Sequence, residues 1–209
     1  MVIKNYDELN SLELDTLKEI GSIGAGNSAT ALSELIGQQI RIKQPEVRIM
    51  EYNEAIEWIG GPEEITAGVL VKVSGQINGI MLNVQQLDFV NLVLESMLGK
   101  GVEDYQELHE LQASALIEVG NIMISTFINA LSSLANIKIN LTVPAFTVDM
   151  QGAIMAVPMA EYGGQSDYLM TIGGHFMCQG KDIPCRLLLS PDLNSLNVLL
   201  RKLGVHSGQ

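Results

Sequence analysis

The segment Glu107–Pro144 reads ELHELQASALIEVGNIMISTFINALSSLANIKINLTVP, and the segment Glu8–Pro45 reads ELNSLELDTLKEIGSIGAGNSATALSELIGQQIRIKQP. Aligned without a gap, at an offset of 99 residues, the two segments are identical at thirteen of 38 positions. Self-similarity of this extent is the sequence signature of a duplicated structural unit. We therefore predict two repeats of one unit, about residues 1–100 and 101–209.

A shorter similarity follows each of these segments. Met81–Val84 leads into Leu87–Gly99, and Leu187–Ser190 leads into Asp192–Gly204. In both cases a short apolar strand precedes a helical pattern that stops at a glycine, which is a common helix terminator. The duplication is therefore predicted to extend to the end of each repeat.

Apolar spacing predicts the elements of the first repeat. They are two helices, a strand and a hairpin, at Tyr6–Ile20, Asn27–Ile36, Gln39–Met50, and Ala67–Val73 with Ile77–Val84. The glycine-containing segment Gly21–Gly26 is predicted to interrupt the two helices. Pro45 lacks a backbone donor, so it is predicted to lie at a sheet edge or a bulge.

The second repeat shows the same pattern. Its predicted helices and strands are Leu108–Gly120, Ile122–Leu134, Ile137–Met150, Ile154–Pro158, Tyr168–Cys178 and Pro184–Leu189. Antiparallel hairpins dominate, so we predict an α+β fold: a pseudo-twofold tandem repeat with helices packed on a mainly antiparallel sheet. No Ser- or Pro-rich linker separates the repeats, and we expect a single domain over residues 1–209.

Composition excludes several classes of function. The chain has 12 Lys and Arg against 24 Asp and Glu, a net charge of −12, which argues against binding to a nucleic-acid backbone. No apolar run reaches the ~20 residues of a membrane span, and the start lacks a signal-peptide pattern. Cys178 and Cys185 are predicted to be reduced, buried thiols of a cytoplasmic protein. The three histidines form no ligand cluster with them, so no metal site is predicted.

Three polar residues recur where helix packing does not require them. Ser114, Glu118 and Asn121 are spaced i, i+4 and i+7, so they lie on one helix face. A solvated helix face would explain one such set. The glutamate, however, is retained between repeats whose other surface positions have diverged, which favours a functional role. The equivalent residues of the first repeat are Asp15, Glu19 and Ser22.

The chemistry available to this set is positioning. An amide has both an acceptor and two donors, so it can hold a water for attack without being a nucleophile. A carboxylate beside it can pair with a cation on a docked partner. Phosphoryl transfer depends mainly on positioning of this kind. The sequence offers no Ser-His-Asp set, reactive cysteine setting or metal cage, so a self-contained hydrolase is poorly supported.

The glycine-rich segment Gly21–Asn27 invites a nucleotide-binding interpretation. Phosphate-binding glycine loops follow a strand and open a helix, whereas this segment follows a predicted helix and lacks a Gly-Lys-Ser/Thr ending. Its counterpart in the second repeat has lost most of its glycines. We therefore expect close helix–helix packing here.

The spacing (Asp/Ser)-x3-Glu-x2-Asn, followed by a proline after 22 further residues, resembles the signature of the CheC-type phosphatases of bacterial chemotaxis. The resemblance covers essentially the whole chain, and the stretches Glu19–Ser33 and Gly60–Glu63 also look like this family. Two motifs within one chain are typical of the CheC type. The second repeat matches in full and the first has Ser22 where Asn is expected: Ser114, Glu118, Asn121 and Pro144, against Asp15, Glu19, Ser22 and Pro45.

This resemblance implies a function. It implies a CheC-like fold and dephosphorylation of the response regulator CheY, with the Glu/Asn helix entering the regulator's active site. Asn121 would orient the attacking water, and Glu118 would pair with the regulator's active-site lysine. The Mg²⁺ would belong to the regulator, so no cofactor is expected in this chain. The family also implies the receptor deamidase CheD as a second partner, and we expect a monomer.

The departure at Ser22 predicts that the two sites are unequal. A hydroxyl is shorter than an amide, and misplacing a reacting group by about 1 Å can cost ~100-fold in rate. The second site is therefore expected to carry most of the activity, while Glu19→Ala should leave most of it. Pro45 and Pro144 are interpreted as structural, because they fix the strand entry and donate no hydrogen bond.

Two other classes of function stay open at this point. One is a non-catalytic adaptor that binds the regulator or CheD, and the other is a structural protein of the flagellar switch. Trp58 also has two interpretations, as an anchor for a partner or as a side chain buried under a turn.

Overall fold

The computed structural model describes residues 3, 6–162 and 168–205. Its two halves have the same order of helices and strands, except that the second half has two strands where the first has one. The first half consists of α1 (Ser11–Ile36), β1 (Arg41–Glu51), α2 (Tyr52–Ile59), β2 (Ile65–Gly75), β3 (Gly79–Gln85) and α3 (Leu87–Leu98). The second consists of α4 (Glu110–Ala135), β4 (Ile139–Leu141), β5 (Ala145–Met150), α5 (Gln151–Tyr162), β6 (Tyr168–Cys178), β7 (Lys181–Pro191) and α6 (Leu193–Lys202).

The strands form one sheet in which the two halves interleave. Its order is β1-β6-β7-β3-β2-β4, with β5 also paired to β2, and all the pairs are antiparallel. The first strand of each half thus pairs with a strand of the other half. This confirms the predicted α+β fold. Neither half pairs its first strand within itself, so the sheet joins the two halves.

Helices cover both faces of the sheet. One face packs against α1, α3, α4 and α6 and forms the larger core, which includes the fully buried Leu32, Phe89, Phe127 and Phe176. The other face packs against α2 and α5 and forms a smaller core. Helices α1 and α4 lie side by side, at the centre of the larger core.

The predicted break at Gly21–Gly26 does not exist, because α1 is one continuous helix of 26 residues. It begins with a capping box, in which the Asn10 side chain accepts from the Glu13 N–H and the Glu13 carboxylate accepts from the Asn10 N–H. It ends at Gly37, which is in the left-handed conformation. The two helices predicted for the second repeat are likewise one helix, α4. Glycine here serves packing within a helix and does not interrupt it.

Complementary residue sizes let α1 and α4 approach closely. A Cβ at Gly24 of α1 would lie 2.4 Å from the Phe127 ring of α4. One turn on, the Ser28 hydroxyl donates to the Met123 carbonyl over 2.8 Å. The equivalents of Gly24 and Ser28 in the second repeat are Met123 and Phe127. Small residues on α1 therefore accommodate bulky ones on α4, which explains why only the first repeat kept these small residues.

Both motif prolines lie at irregularities of the sheet. Pro45 lies in edge strand β1, where the register shifts between Lys43 and Glu46, which confirms the predicted edge or bulge position. Pro144 lies in the gap between β4 and β5, which both pair with β2. The single strand predicted over Ile137–Met150 is therefore wrong. An equivalent irregularity interrupts the first strand in each repeat.

The prediction for Ile154–Pro158 is also wrong, since these residues belong to α5. Ile154 and Met155 are buried in the smaller core while Val157 is exposed, so the short apolar run forms one face of a helix and not a strand. Its counterpart α2, over Tyr52–Ile59, was not predicted. Both helices are short and follow a strand directly, so neither has a long periodic pattern in the sequence.

Helix α4 alone, within the described residues, is long and apolar enough to cross a membrane by length and composition. In the fold it packs against α1 and the sheet, and Leu116, Val119 and Met123 are buried there. The exposed Glu118 lies among them. The apolar face of α4 is therefore covered by the rest of the fold.

The two cysteines are free thiols, both buried, as predicted. Burial raises the pKa of the Cys185 thiol to about 12, although the nearby Arg186 opposes this shift. A thiol with such a pKa is protonated at neutral pH and is a poor nucleophile. Cys185 is therefore a core residue and not a reactive group.

Candidate active site on helix α4

The motif residues lie in the middle of α4 and not at its end. Gly120 faces the sheet so closely that a Cβ there would lie 2.6 Å from the Val69 side chain. The other side of the helix faces solvent, where Ser114 and Glu118 are exposed and Asn121 is half-buried. Direct seating of the helix backbone on the sheet thus fixes which side chains point outward.

The polar groups of Glu118 and Asn121 are available to bind another molecule. Among the described residues, neither the Glu118 carboxylate nor the Asn121 amide forms a hydrogen bond or ion pair. Side chains three residues apart on a helix have Cβ atoms about 5–6 Å apart. The pair therefore presents one carboxylate and one amide, close together, to whatever docks on α4.

Two of the three corresponding residues of the first repeat form interactions within their own helix. Asp15 and Glu19 are exposed and Ser22 is half-buried on α1. The Ser22 hydroxyl donates to the Lys18 carbonyl over 2.8 Å, and the Lys18 amine lies 3.7 Å from the Asp15 carboxylate. Ser22 therefore directs its proton back into its own helix, whereas Asn121 keeps all its donors available.

The two sets of residues form separate sites. The contacts Gly24–Phe127 and Ser28–Met123 run in opposite directions along the two helices, so α1 and α4 are antiparallel. Glu19 and Glu118 lie on opposite sides of the crossing. At 1.5 Å per residue the two sites are about 20 Å apart along the helix axes. A single partner active site cannot use both pairs at once.

An exposed leucine accompanies each site, and its role was missed from the sequence. Leu12 and Leu111 are equivalent residues that fit the apolar helical spacing, yet their side chains are 59% and 67% exposed. Leu111 lies one turn before Ser114, on the same face as Glu118. The sequence did contain a signal for this role, since both repeats have leucine at this position. An apolar side chain beside an uncommitted polar pair is typical of a surface that contacts another protein.

The remaining motif residues have structural roles. The Ser114 hydroxyl donates to the Glu110 carbonyl over 2.8 Å, within its own helix. Pro45 is half-buried in β1 and Pro144 is half-buried between β4 and β5, so both lie outside the helices that carry the acids. Within residues 3, 6–162 and 168–205, no group of three or more His, Cys, Asp or Glu residues could hold a metal ion. The site thus consists of the Glu118–Asn121 pair on a rigid helix.

The two repeated segments are also the regions that match a known protein family. The CheC-like family profile matches residues 12–49 and 111–148. The CheY-P phosphatase CheC of Bacillus subtilis (strain 168) is 24% identical over 203 residues, which cover 95% of this chain and 97% of that protein.

Solved structures share the fold. The crystal structure of Thermotoga maritima FliY has a TM-score of 0.73 at 22% identity, covering 94% of this chain and 98% of that one. A chain in the CheX–CheY–BeF₃–Mg²⁺ complex from Borrelia burgdorferi has a TM-score of 0.54 at 15% identity, covering 83% of this chain and 96% of that one.

Proposed function

This chain belongs to the CheC-like family, and on that premise we propose that it is a phosphatase that hydrolyses the aspartyl phosphate of the response regulator CheY. Phosphatase activity is the activity named for its relative in Bacillus subtilis. The neighbouring CheX complex supports CheY as the partner, since that crystal contains CheY with BeF₃ and Mg²⁺.

The observation that carries this proposal is that the Glu118 and Asn121 side chains are available to a docked protein. Both project from a rigid, buried helix, and neither has a partner among the described residues. Polar side chains that only face solvent do not need a helix held in a fixed position. Here Gly120 seats the helix on Val69, which sets the direction of both side chains.

In the proposed mechanism the reaction occurs in the active site of the regulator. The Asn121 amide holds a water in line with the phosphorus. The oxygen of this water bonds to phosphorus as the bond from phosphorus to the aspartyl oxygen breaks. The products are inorganic phosphate and a free aspartate. Glu118 pairs with the active-site lysine of the regulator and fixes the approach. A Mg²⁺ ion held by the regulator would supply charge neutralisation at the phosphoryl oxygens, so this chain needs to contribute only Glu118 and Asn121.

We also propose that the α4 site carries most of the activity. Ser22 is shorter than Asn121, and its hydroxyl is bonded to the Lys18 carbonyl. A water held there would be displaced from the position that an amide gives it. Such displacement is costly in phosphoryl transfer, where the protein contributes mainly positioning and electrostatic stabilisation.

Adding the missing amide should activate the first site. In an Asn121→Ala background, Ser22→Asn is expected to recover turnover by about tenfold or more, a part of the ~100-fold that positioning can supply. The reason is that α1 presents Glu19 and residue 22 from a helix seated on the sheet, as α4 does: a Cβ at Gly21 would lie 2.5 Å from Val47. The measurement is the decay of phosphorylated CheY.

Ser22→Ala in the same background is the matched control. It removes the hydroxyl without supplying an amide, so it should give no recovery. If the Asn and Ala variants decay at the same rate, the first site lacks more than an amide, and the proposed basis of the asymmetry is wrong.

The experiment that tests the function itself is catalytic turnover. Phosphorylated CheY is incubated with a tenth of its molar amount of this protein, and the remaining phosphoprotein is followed over time. Many CheY molecules dephosphorylated per protein chain support the phosphatase. An effect only at equimolar amounts, or none, supports the non-catalytic adaptor instead.

Three further features belong to this proposal. CheD is a second partner implied by the resemblance, with no surface assigned to it. The chain is a monomer, because the α1–α4 pairing joins its two repeats within one molecule. It works in the cytoplasm, where a response regulator would be met.

A further inference from the structure

A polar cavity of about 490 Å³ opens on the side of the sheet opposite to Glu118, beyond the end of α2. Trp58 forms one wall, and its ring lies over the backbone of Gly173, where a Cβ would be 2.3 Å from the indole. The other lining residues are mostly charged: Lys43, Glu46, His175, Asp182 and Arg186, with Pro45 and Gly174.

Two guanidinium groups lie over the tryptophan ring. Arg186 stacks over the Trp58 ring at 4.3 Å from its centroid, and Arg48 lies at 5.6 Å. Stacking of a guanidinium on an aromatic face orients it and leaves its edge available for hydrogen bonding. Trp58 is therefore neither a free anchor nor simply buried under a turn; it positions the Arg186 guanidinium at the cavity.

The cavity lining has two acids, Glu46 and Asp182, and both are bonded to groups other than its two cations, Lys43 and Arg186. The Arg48 guanidinium binds the Glu46 carboxylate, and His175 binds the Asp182 carboxylate. Arg186 donates only to two backbone carbonyls, and its Nε has no partner within the described residues. Lys43 has no ion pair there either. Burial lowers the pKa of the Arg186 guanidinium and the nearby Arg48 lowers it further, while Cys185 and Glu46 oppose this shift.

The first repeat contributes Lys43, Arg48 and Trp58 to this cluster, and the second contributes Arg186. At the matched positions of the second repeat, 99 residues on, Lys43, Arg48 and Trp58 are replaced by Thr142, Thr147 and Val157. Neutral side chains therefore satisfy this architecture. A half-buried guanidinium costs stability unless it is paired. On a chain with a net charge of −12, concentrating cations at this one place calls for an explanation beyond folding.

We propose that this cavity is a binding site for a small molecule with an oxyanion group, a phosphate or a carboxylate. A guanidinium edge pairs with such groups through two parallel N–H···O bonds, and a lysine adds a third charged donor. The volume is within the range of small-molecule sites. The site is on the opposite sheet face from α4, so it is independent of the proposed phosphatase function.

Trp58 allows a direct test, because it is the one tryptophan in the chain. Its fluorescence is titrated with inorganic phosphate, with citrate, and with chloride at matched ionic strength. We expect a saturable change with phosphate or citrate and none with chloride. A response to phosphate alone identifies a phosphate ligand, and a response to citrate alone identifies a carboxylate ligand.

Variants make the assignment specific. Lys43→Thr introduces the residue that the second repeat has at this position, so it is expected to fold, and it should weaken binding by about tenfold or more. Arg186→Leu should do the same or abolish binding. Lys138→Thr removes another exposed lysine, outside the cavity lining, and should leave binding unchanged. The proposal is overturned if neither anion gives a saturable response, or if Lys43→Thr and Arg186→Leu bind as the wild type does.

Discussion

Alanine at Glu118 or Asn121 is expected to lower the turnover of phosphorylated CheY by about 100-fold or more, a loss of the size that misplaced reacting groups produce. Asn121→Ala removes the group that holds the water, and Glu118→Ala removes the contact that fixes the approach. Both side chains are solvent-facing and without protein partners among the described residues, so neither change should weaken the fold. The double variant should have no turnover.

The first repeat provides the control for this prediction. Glu19→Ala is the same substitution at the matched position of α1, and it should leave most of the turnover. Urea unfolding of all variants should show unchanged midpoints, which separates catalysis from stability. Equal losses from Glu19→Ala and Glu118→Ala would contradict the asymmetry between the two sites.

Gly120→Ala is expected to destabilise the protein by about 1–3 kcal/mol, as overpacking of a core usually does. The added Cβ would lie 2.6 Å from the Val69 side chain, so α4 must move away from the sheet. That movement also displaces Glu118 and Asn121, and turnover should fall at temperatures where the variant is still folded. The unfolding free energy from urea titration and the rate of CheY dephosphorylation measure the two effects.

Gly26→Ala is the matched control, since Gly26 is also inside a long helix. A Cβ there meets nothing within 4 Å, and its φ is not in the left-handed region. Replacing glycine at such a position should stabilise by about 0.4–1 kcal/mol, because the unfolded chain loses conformational freedom. If Gly120→Ala and Gly26→Ala change stability in the same direction, the seating of α4 on Val69 is not what holds the site.

The motif could be found from the sequence because its information is local. Helical periodicity is sufficient to place Ser114, Glu118 and Asn121 on one face, and the repeat marks the glutamate as retained. The position of Pro45 was equally accessible, because proline lacks a backbone donor, whereas the gap between two strands at Pro144 was not predicted. The resemblance to the CheC-type signature then indicated the partner and the chemistry.

The errors occurred where tertiary contacts override local preference. Gly21 and Gly24 suggested a break, yet they allow α1 to contact Val47 and Phe127 without interruption. Leu12 fits the apolar spacing but is exposed. The sequence did not predict this exposure, because a helical pattern does not show which end of the apolar stripe extends beyond the core. Strand interleaving and the stacking of Arg186 on Trp58 depend on residues far apart in the chain, which no local pattern encodes.

The central claim is that the Asn121 amide positions the attacking water inside the regulator's active site. Its most direct test is the single-turnover rate of aspartyl-phosphate loss from CheY saturated with Asn121→Ala, because saturation removes any difference in binding. The account predicts that this rate falls close to that of CheY alone. A rate equal to that of CheY saturated with the wild-type protein would contradict it.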